Sequence, residues 1–126
     1  MNLPPDIHER GFECNARDGA AALLGISVNM QGEADLRAKP HLGGFFRAVH
    51  AAALEKGTDV HVDLRAVKFM NSSCLQELVL WLSTLSKIPA DAGYKIVFVA
   101  DASQYWQRRS LQALVAFAPE RVLVEA

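Results

Sequence analysis

Between residues 58 and 85 the apolar side chains change their spacing once, and that change restricts the chain to a fold that joins strands to helices. Val60, Val62 and Leu64 alternate with Asp59, His61 and Asp63, the period of a strand that buries one face. Leu75, Leu78, Val79, Leu82 and Leu85 then recur at i, i+3, i+4, i+7 and i+10, the spacing of an amphipathic helix that fades before Pro89. The same switch occurs earlier. Leu24, Ile26, Val28 and Met30 alternate with Gly25, Ser27 and Asn29, which predicts a strand near residues 22 to 31. Leu42, Phe45, Phe46, Val49 and Ala53 follow at helical spacing and end near Lys56-Gly57. The separation of the two strands suits a helical crossover, so they are predicted to be parallel neighbours.

The remaining segments extend this pattern. Asp18-Gly19 supplies residues for a tight hairpin, so the chain around Phe12 to Cys14 is predicted to pair antiparallel with the strand that follows. Lys95-Ile96-Val97-Phe98-Val99-Ala100 is the near-continuous apolar run of a strand covered on both faces. A third helix carrying Leu111, Leu114 and Val115 leads to a last strand at Arg121-Val122-Leu123-Val124. The predicted order is β-β-α-β-α-β-α-β, an α/β fold with a mixed sheet packed by helices.

At 126 residues the chain has the size of one domain, read here as 1–126, with room for a continuous core. Thirteen basic residues against 14 acidic ones leave no excess to drive binding to a phosphate backbone, so nucleic acid is not the expected partner. Cys14 and Cys74 match neither a zinc-ligand spacing nor a disulfide framework, and reduced thiols are expected. Met1-Asn2-Leu3-Pro4-Pro5-Asp6 has no basic region ahead of an apolar stretch, and no apolar run nears the roughly 20 residues that span a bilayer. The expectation is a cytoplasmic protein without direct membrane insertion.

The polar residues that invite a function cluster where the strand at Val62-Asp63-Leu64 gives way to the second helix. The stretch from Val62 to Leu75 is predicted to join strand to helix through a short loop, with Asn71-Ser72-Ser73-Cys74-Leu75 at its end. Ser73 with Gln76 three residues on fits a capping box, in which the serine accepts from a helix amide and the glutamine reaches back. Ser72 then lies just outside a helix start whose free amides and dipole favour negative charge, so a phosphate can be accommodated. Serine and asparagine are also favoured at caps for backbone bonding alone, which accounts for the same residues with no regulatory role.

These residues resemble the STAS family, the anti-sigma-factor antagonists, in which an apolar strand ending Asp-Leu is followed by a short loop and Asp-Ser-Ser-Gly-Leu opening a helix. Gly32-Glu33-Ala34-Asp35 is likewise similar to that family's Gly-Glu-Leu-Asp. The resemblance runs from the hairpin to the last strand. It implies a STAS-like fold, no catalytic step and no cofactor. It also implies phosphorylation of Ser72 by a Ser/Thr kinase-type anti-sigma factor, reset by a PP2C-type phosphatase, and a partner-binding surface that includes Asn71, Ser72, Ser73 and Cys74. Asn71 and Cys74 depart from the family's aspartate and glycine. A constitutive STAS interaction module, such as a transporter subunit or scaffold component, is the alternative with the same fold.

Other constellations are weaker. Asp59, His61 and Asp63 share one strand face and could approach a metal, but alternation explains them as a polar face. A thiol enzyme using Cys74 at a helix start lacks a base in the sequence. His41 and His50 are nine apart and form no helical ligand pair. Trp81 lies about 240° around the second helix from Leu75, and Leu80 also leaves the apolar stripe. The two either extend a docking surface from the Ser72 loop or mark a helix buried more broadly. Tyr105-Trp106-Gln107-Arg108-Arg109 reads as an aromatic helix start with solvated arginines.

Overall fold

The computed structural model describes residues 3–19, 25–89 and 91–125. Its elements run β1 (Ile7–Glu9), β2 (Phe12–Asp18), β3 (Ile26–Ala34), α1 (Lys39–Lys56), β4 (Val60–Met70), α2 (Ser72–Ser86), β5 (Ile96–Val99), α3 (Tyr105–Phe117) and β6 (Val122–Glu125). The strands form one six-stranded sheet in sequence order. β1, β2 and β3 are antiparallel, while β3 to β6 are parallel and joined by the three helices. The mixed α/β architecture is the one the sequence predicts, with β1 added at its front.

The tight turn lies elsewhere than Asp18-Gly19. It is Arg10-Gly11, between the paired residues Glu9 and Phe12, with Gly11 at φ 80° supplying the left-handed conformation. β2 instead runs on until Asp18 pairs with Ile26, and the Gly19 amide donates to the Gly25 carbonyl at 2.7 Å. The connection between β2 and β3 is therefore longer than a two-residue turn. Its residues 20–24, including the predicted strand start at Leu24, lie outside the described residues.

Alternation sorts the faces. Ile26, Val28 and Met30 of β3 and Val60, Val62 and Leu64 of β4 enter one core with Leu42, Phe45, Phe46 and Val49 of α1 and Leu78, Trp81, Leu82 and Leu85 of α2. The opposite face of β2 and β3 is polar, where Asn29 donates to Asn15 and Gln31 to Glu13. α1 carries Pro40 in its first turn and stops at Gly57, whose φ of 70° lets its amide return to the Ala53 carbonyl at 2.8 Å.

β4 continues through the segment predicted as a loop. Two bulges against β3 break its period, one where Asn29 to Gln31 faces Asp63 to Ala66 and one where Gly32 to Glu33 faces Val67 to Phe69. Buried positions consequently step from Leu64 to Val67 to Met70, and Arg65, Ala66, Lys68 and Phe69 are all exposed. On its other side β4 pairs with β5 only as far as Asp63.

Candidate functional site

The carboxyl ends of β3 and β4 lie side by side: Ala34 pairs with Met70, and the Asn71 amide donates to the Ala34 carbonyl at 2.9 Å. This end of a parallel sheet is where the strand-to-helix loops gather and where ligands and partners are commonly met. Asn71 holds extended geometry at the helix N-cap, and its Oδ1 accepts from the Cys74 amide at 2.8 Å. The cap is thus Asn71, in place of the predicted Ser73–Gln76 box: an asparagine carbonyl one turn from the Cys74 amide reaches it directly, and Gln76 points to solvent.

That shift moves both serines into the helix. Ser72 is its first residue and is exposed, and Ser73 is half-buried. Among the described residues neither hydroxyl has a side-chain partner. The first bond of the helical ladder runs from the Leu75 amide to the Asn71 carbonyl, so the amides of Ser72 and Ser73 precede it. Cys74 is buried and turned inward, its thiol donating to the Asp35 carbonyl at 3.3 Å. Burial, with Asp35 nearby, pushes that thiol up to about 11. A nucleophilic thiolate is disfavoured there, and the Cys74 side chain adds nothing to the exposed surface.

Asp35 opens the loop between β3 and α1. Its carboxylate accepts from the Arg37 amide and guanidinium, each at 2.9 Å, and the arginine holds it below the usual carboxylate range. Leu36, between them, is 71% exposed, and Phe69 near the end of β4 is 48% exposed. Both apolar groups flank the Asn71–Ser73 turn, and the sequence reading missed them. Leu36 follows the strand directly among charged neighbours, which is a legible signal; Phe69 owes its exposure to the second bulge, which is not. Lys39 of α1 and Glu77 of α2 close the side of the turn with an ion pair at 3.1 Å.

Trp81 does not join this surface. It is only 4% exposed, stacks on Phe46 with centroids 4.9 Å apart and donates its indole N–H to the Tyr94 hydroxyl at 2.7 Å. Of the two alternatives, the broader burial of α2 holds, because α1 covers that side of the helix. The buried series Cys74, Leu78, Trp81 and Leu85 is itself a good helical stripe, and reading it in place of the one starting at Leu75 places the tryptophan inside. Leu80 is exposed.

On the Asp59, His61 and Asp63 face the two carboxylates are held by separate partners, and His61 Nδ1 is buried without one among the described residues. Asp59 accepts from the Lys95 amide at 2.9 Å, and Asp63 accepts from Arg65 through its amide and guanidinium. Among the described residues no group of three or more His, Cys, Asp or Glu converges as a metal site. At the start of α3, Tyr105 is exposed under Arg108 and Arg109, while Gln107 is fully buried. Its amide nitrogen donates to the carbonyls of Leu64 (2.7 Å) and Val67 (3.1 Å), and its oxygen accepts from the Asp101 amide (2.9 Å). A polar residue on the stripe it shares with Leu111 and Leu114 was the sequence signal for such a role.

No protein-family model and no curated protein sequence matches the chain. Its structure is similar to the crystal structure of an anti-sigma factor antagonist from Mycobacterium paratuberculosis, with a TM-score of 0.58 and 22% sequence identity. The match covers 87% of this chain and 85% of that one. The fold is the one that antagonist adopts.

Proposed function

We propose that the chain is a non-enzymatic signalling adaptor of the anti-sigma-factor-antagonist kind, acting in the cytoplasm and exchanging protein partners when Ser72 is phosphorylated. The observation that carries this reading is a division of labour at the start of α2. Asn71 supplies the cap, so Ser72 is exposed at the first helical position with no structural duty for its hydroxyl. The likeness in fold to the mycobacterial antagonist, together with the Asn71-Ser72-Ser73-Cys74-Leu75 motif, supports this reading of the free hydroxyl.

The partner surface in this reading is the turn Asn71–Ser73 with Leu36 and Phe69 at its sides. A phosphate brings about 1.5 to 2 negative charges, which the unpaired amides at the helix start tolerate. An apolar partner face pressed on Leu36 and Phe69 does not tolerate them, because it would have to bury the charge. A kinase-type anti-sigma factor is the partner of the unmodified form, and a PP2C-type phosphatase restores it. Nucleic acid and direct membrane insertion play no part.

The test is peptide mapping by mass spectrometry of the tagged protein from its native host, with co-purifying proteins identified in the same sample. Phosphate on Ser72 together with a kinase or phosphatase is expected. Ser72→Ala should then hold the recovered partner and Ser72→Asp should bind it at least tenfold more weakly. Equal binding by both variants and wild type, with Ser72 unmodified across growth states, sinks the switch and leaves a constitutive module.

A further inference from the structure

β6 ends the sheet among the described residues, with β5 as its single neighbour. The Ile96 amide donates to the Arg121 carbonyl and the Ala100 amide to the Glu125 carbonyl, so the odd-numbered residues of β6 turn their backbone groups toward β5. By alternation, Val122 and Val124 turn theirs outward. The Val122 amide is taken by the Ala118 carbonyl at 3.1 Å. The Val122 carbonyl and both backbone groups of Val124 remain on the open edge.

Beside that edge runs a largely apolar cleft of about 340 Å³ between β6 and α3, lined by Ala100, Ala102, Leu111, Val115 and Val124 with Gln112 among them. Val124 is 41% exposed. Arg108, in the first turn of α3, lines the same cleft. Its guanidinium lies 5.7 Å from the Tyr105 ring and has no carboxylate partner among the described residues. Glu125, next to Val124 on β6, faces away, because it shares the side of the sheet taken by Leu123 and Val99.

From these features we infer that the β6–α3 edge receives an extended peptide segment of a partner protein, added antiparallel as a seventh strand. A residue opposite Val124 exchanges two backbone bonds with it, and its aliphatic side chain enters the cleft beside Leu111 and Val115. An acidic residue two positions earlier in the segment lies on the same face and meets Arg108. Unsatisfied strand groups, an apolar cleft and an unpaired cation thus define one ligand chemistry: aliphatic and acidic side chains at alternate positions of an extended chain. This surface is separate from the Ser72 turn, and the inference stands whether or not Ser72 is modified.

The probe is an acetylated, amidated six-residue peptide of threonine, glutamate, threonine, valine, threonine and valine, titrated into the full chain while amide exchange is followed residue by residue. Saturable binding should slow exchange at Val124 at least tenfold. Replacing the peptide's glutamate by lysine should weaken binding to wild type at least fivefold, and Arg108→Glu should reverse that preference; Arg108 is exposed, so this variant folds. Absence of binding, binding that leaves Val124 unprotected, or indifference to Arg108→Glu overturns the inference. So does concentration-dependent protection of Val124 without peptide, accompanied by a dimer in sedimentation, which would assign the edge to a second copy of the chain.

Discussion

The Trp81 indole donates to the Tyr94 hydroxyl across 2.7 Å, and the same hydroxyl lies 2.7 Å from His50 Nδ1. The hydroxyl thus accepts from an indole that can only donate and shares a second hydrogen bond with His50, whose direction is set by the imidazole tautomer. The three residues connect α1, α2 and the segment before β5. Tyr94→Phe strands a buried indole N–H and should cost about 1–3 kcal/mol, read as a lower midpoint in urea with an unchanged slope. Trp81→Phe should lose the stacking fit on Phe46 as well, and the double variant should be less destabilised than the sum.

Stability should also depend on pH through His50. Burial pushes its imidazole below the ordinary value of 6.5. Below that value the unfolded chain takes up a proton that the folded chain refuses, so stability falls as pH drops from about 6.5 toward the folded pKa. The lowered carboxylates of Asp35 and Asp63 act in the same direction only at more acid pH, below the usual carboxylate value of 3.8. Thermal midpoints measured from pH 7 to 5 should slope for the wild type and flatten for His50→Gln.

The capping assignment separates adjacent residues. Asn71→Ala removes the acceptor for the Cys74 amide and should cost about 1 kcal/mol, while Ser73→Ala should stay within about 0.5 kcal/mol of wild type. Asn71→Asp should retain the cap and gain slightly from the helix dipole. Urea denaturation of the three variants decides between Asn71 and Ser73 as the cap.

Gln107 does for β4 what a neighbouring strand does elsewhere in the sheet. Past Asp63 the strand has no β5 partner, and the glutamine amide takes its Leu64 and Val67 carbonyls. Gln107→Leu leaves these carbonyls and the Asp101 amide unpaired and should destabilise by about 3 kcal/mol or more. Gln107→Glu should be worse at neutral pH, since a carboxylate then faces two carbonyls. Its folded pKa is raised above the ordinary value of about 4.3, so the deficit should grow as pH rises from there and shrink in acid.

Two glycines with positive φ should respond differently to alanine. At Gly57 (φ 70°) the space for a methyl is open, and the substitution should cost about 1 kcal/mol of backbone strain. At Gly32 (φ 97°) the methyl would collide with the Gly11 carbonyl oxygen, since the β1–β2 turn packs directly against the bulge. Gly32→Ala should therefore cost well over twice as much, measured in the same denaturation series.

The sequence exposes some of these features and conceals others for physical reasons. Val60, Val62 and Leu64 are legible because regular alternation survives there, as are the core residues of α1, bounded by Pro40 and Gly57. The second half of β4 is concealed because each bulge shifts the phase of burial, turning a strand into an apparent loop. β1 is three residues long, too short to carry a period. At the candidate site, position and motif were legible in Asn71 to Leu75. Which residue caps was not, because Asn71 and Ser73 both satisfy cap preferences and only the backbone path into α2 distinguishes them. Trp81 misled because helix spacing alone does not reveal that α2 is covered by α1 as well as by the sheet.

The bulges in β4 also bear on how related chains can differ in length. In each, two neighbouring residues, Arg65 with Ala66 and Lys68 with Phe69, project outward opposite a single step of β3. Losing Arg65 or Lys68 would restore a plain ladder while leaving Val67, Met70 and Asn71 on their present sides. Gaps in alignments with distant relatives should accordingly fall at these two positions, and a one-residue deletion between Val60 and Asp63, which would invert every side chain beyond it, should be missing from them.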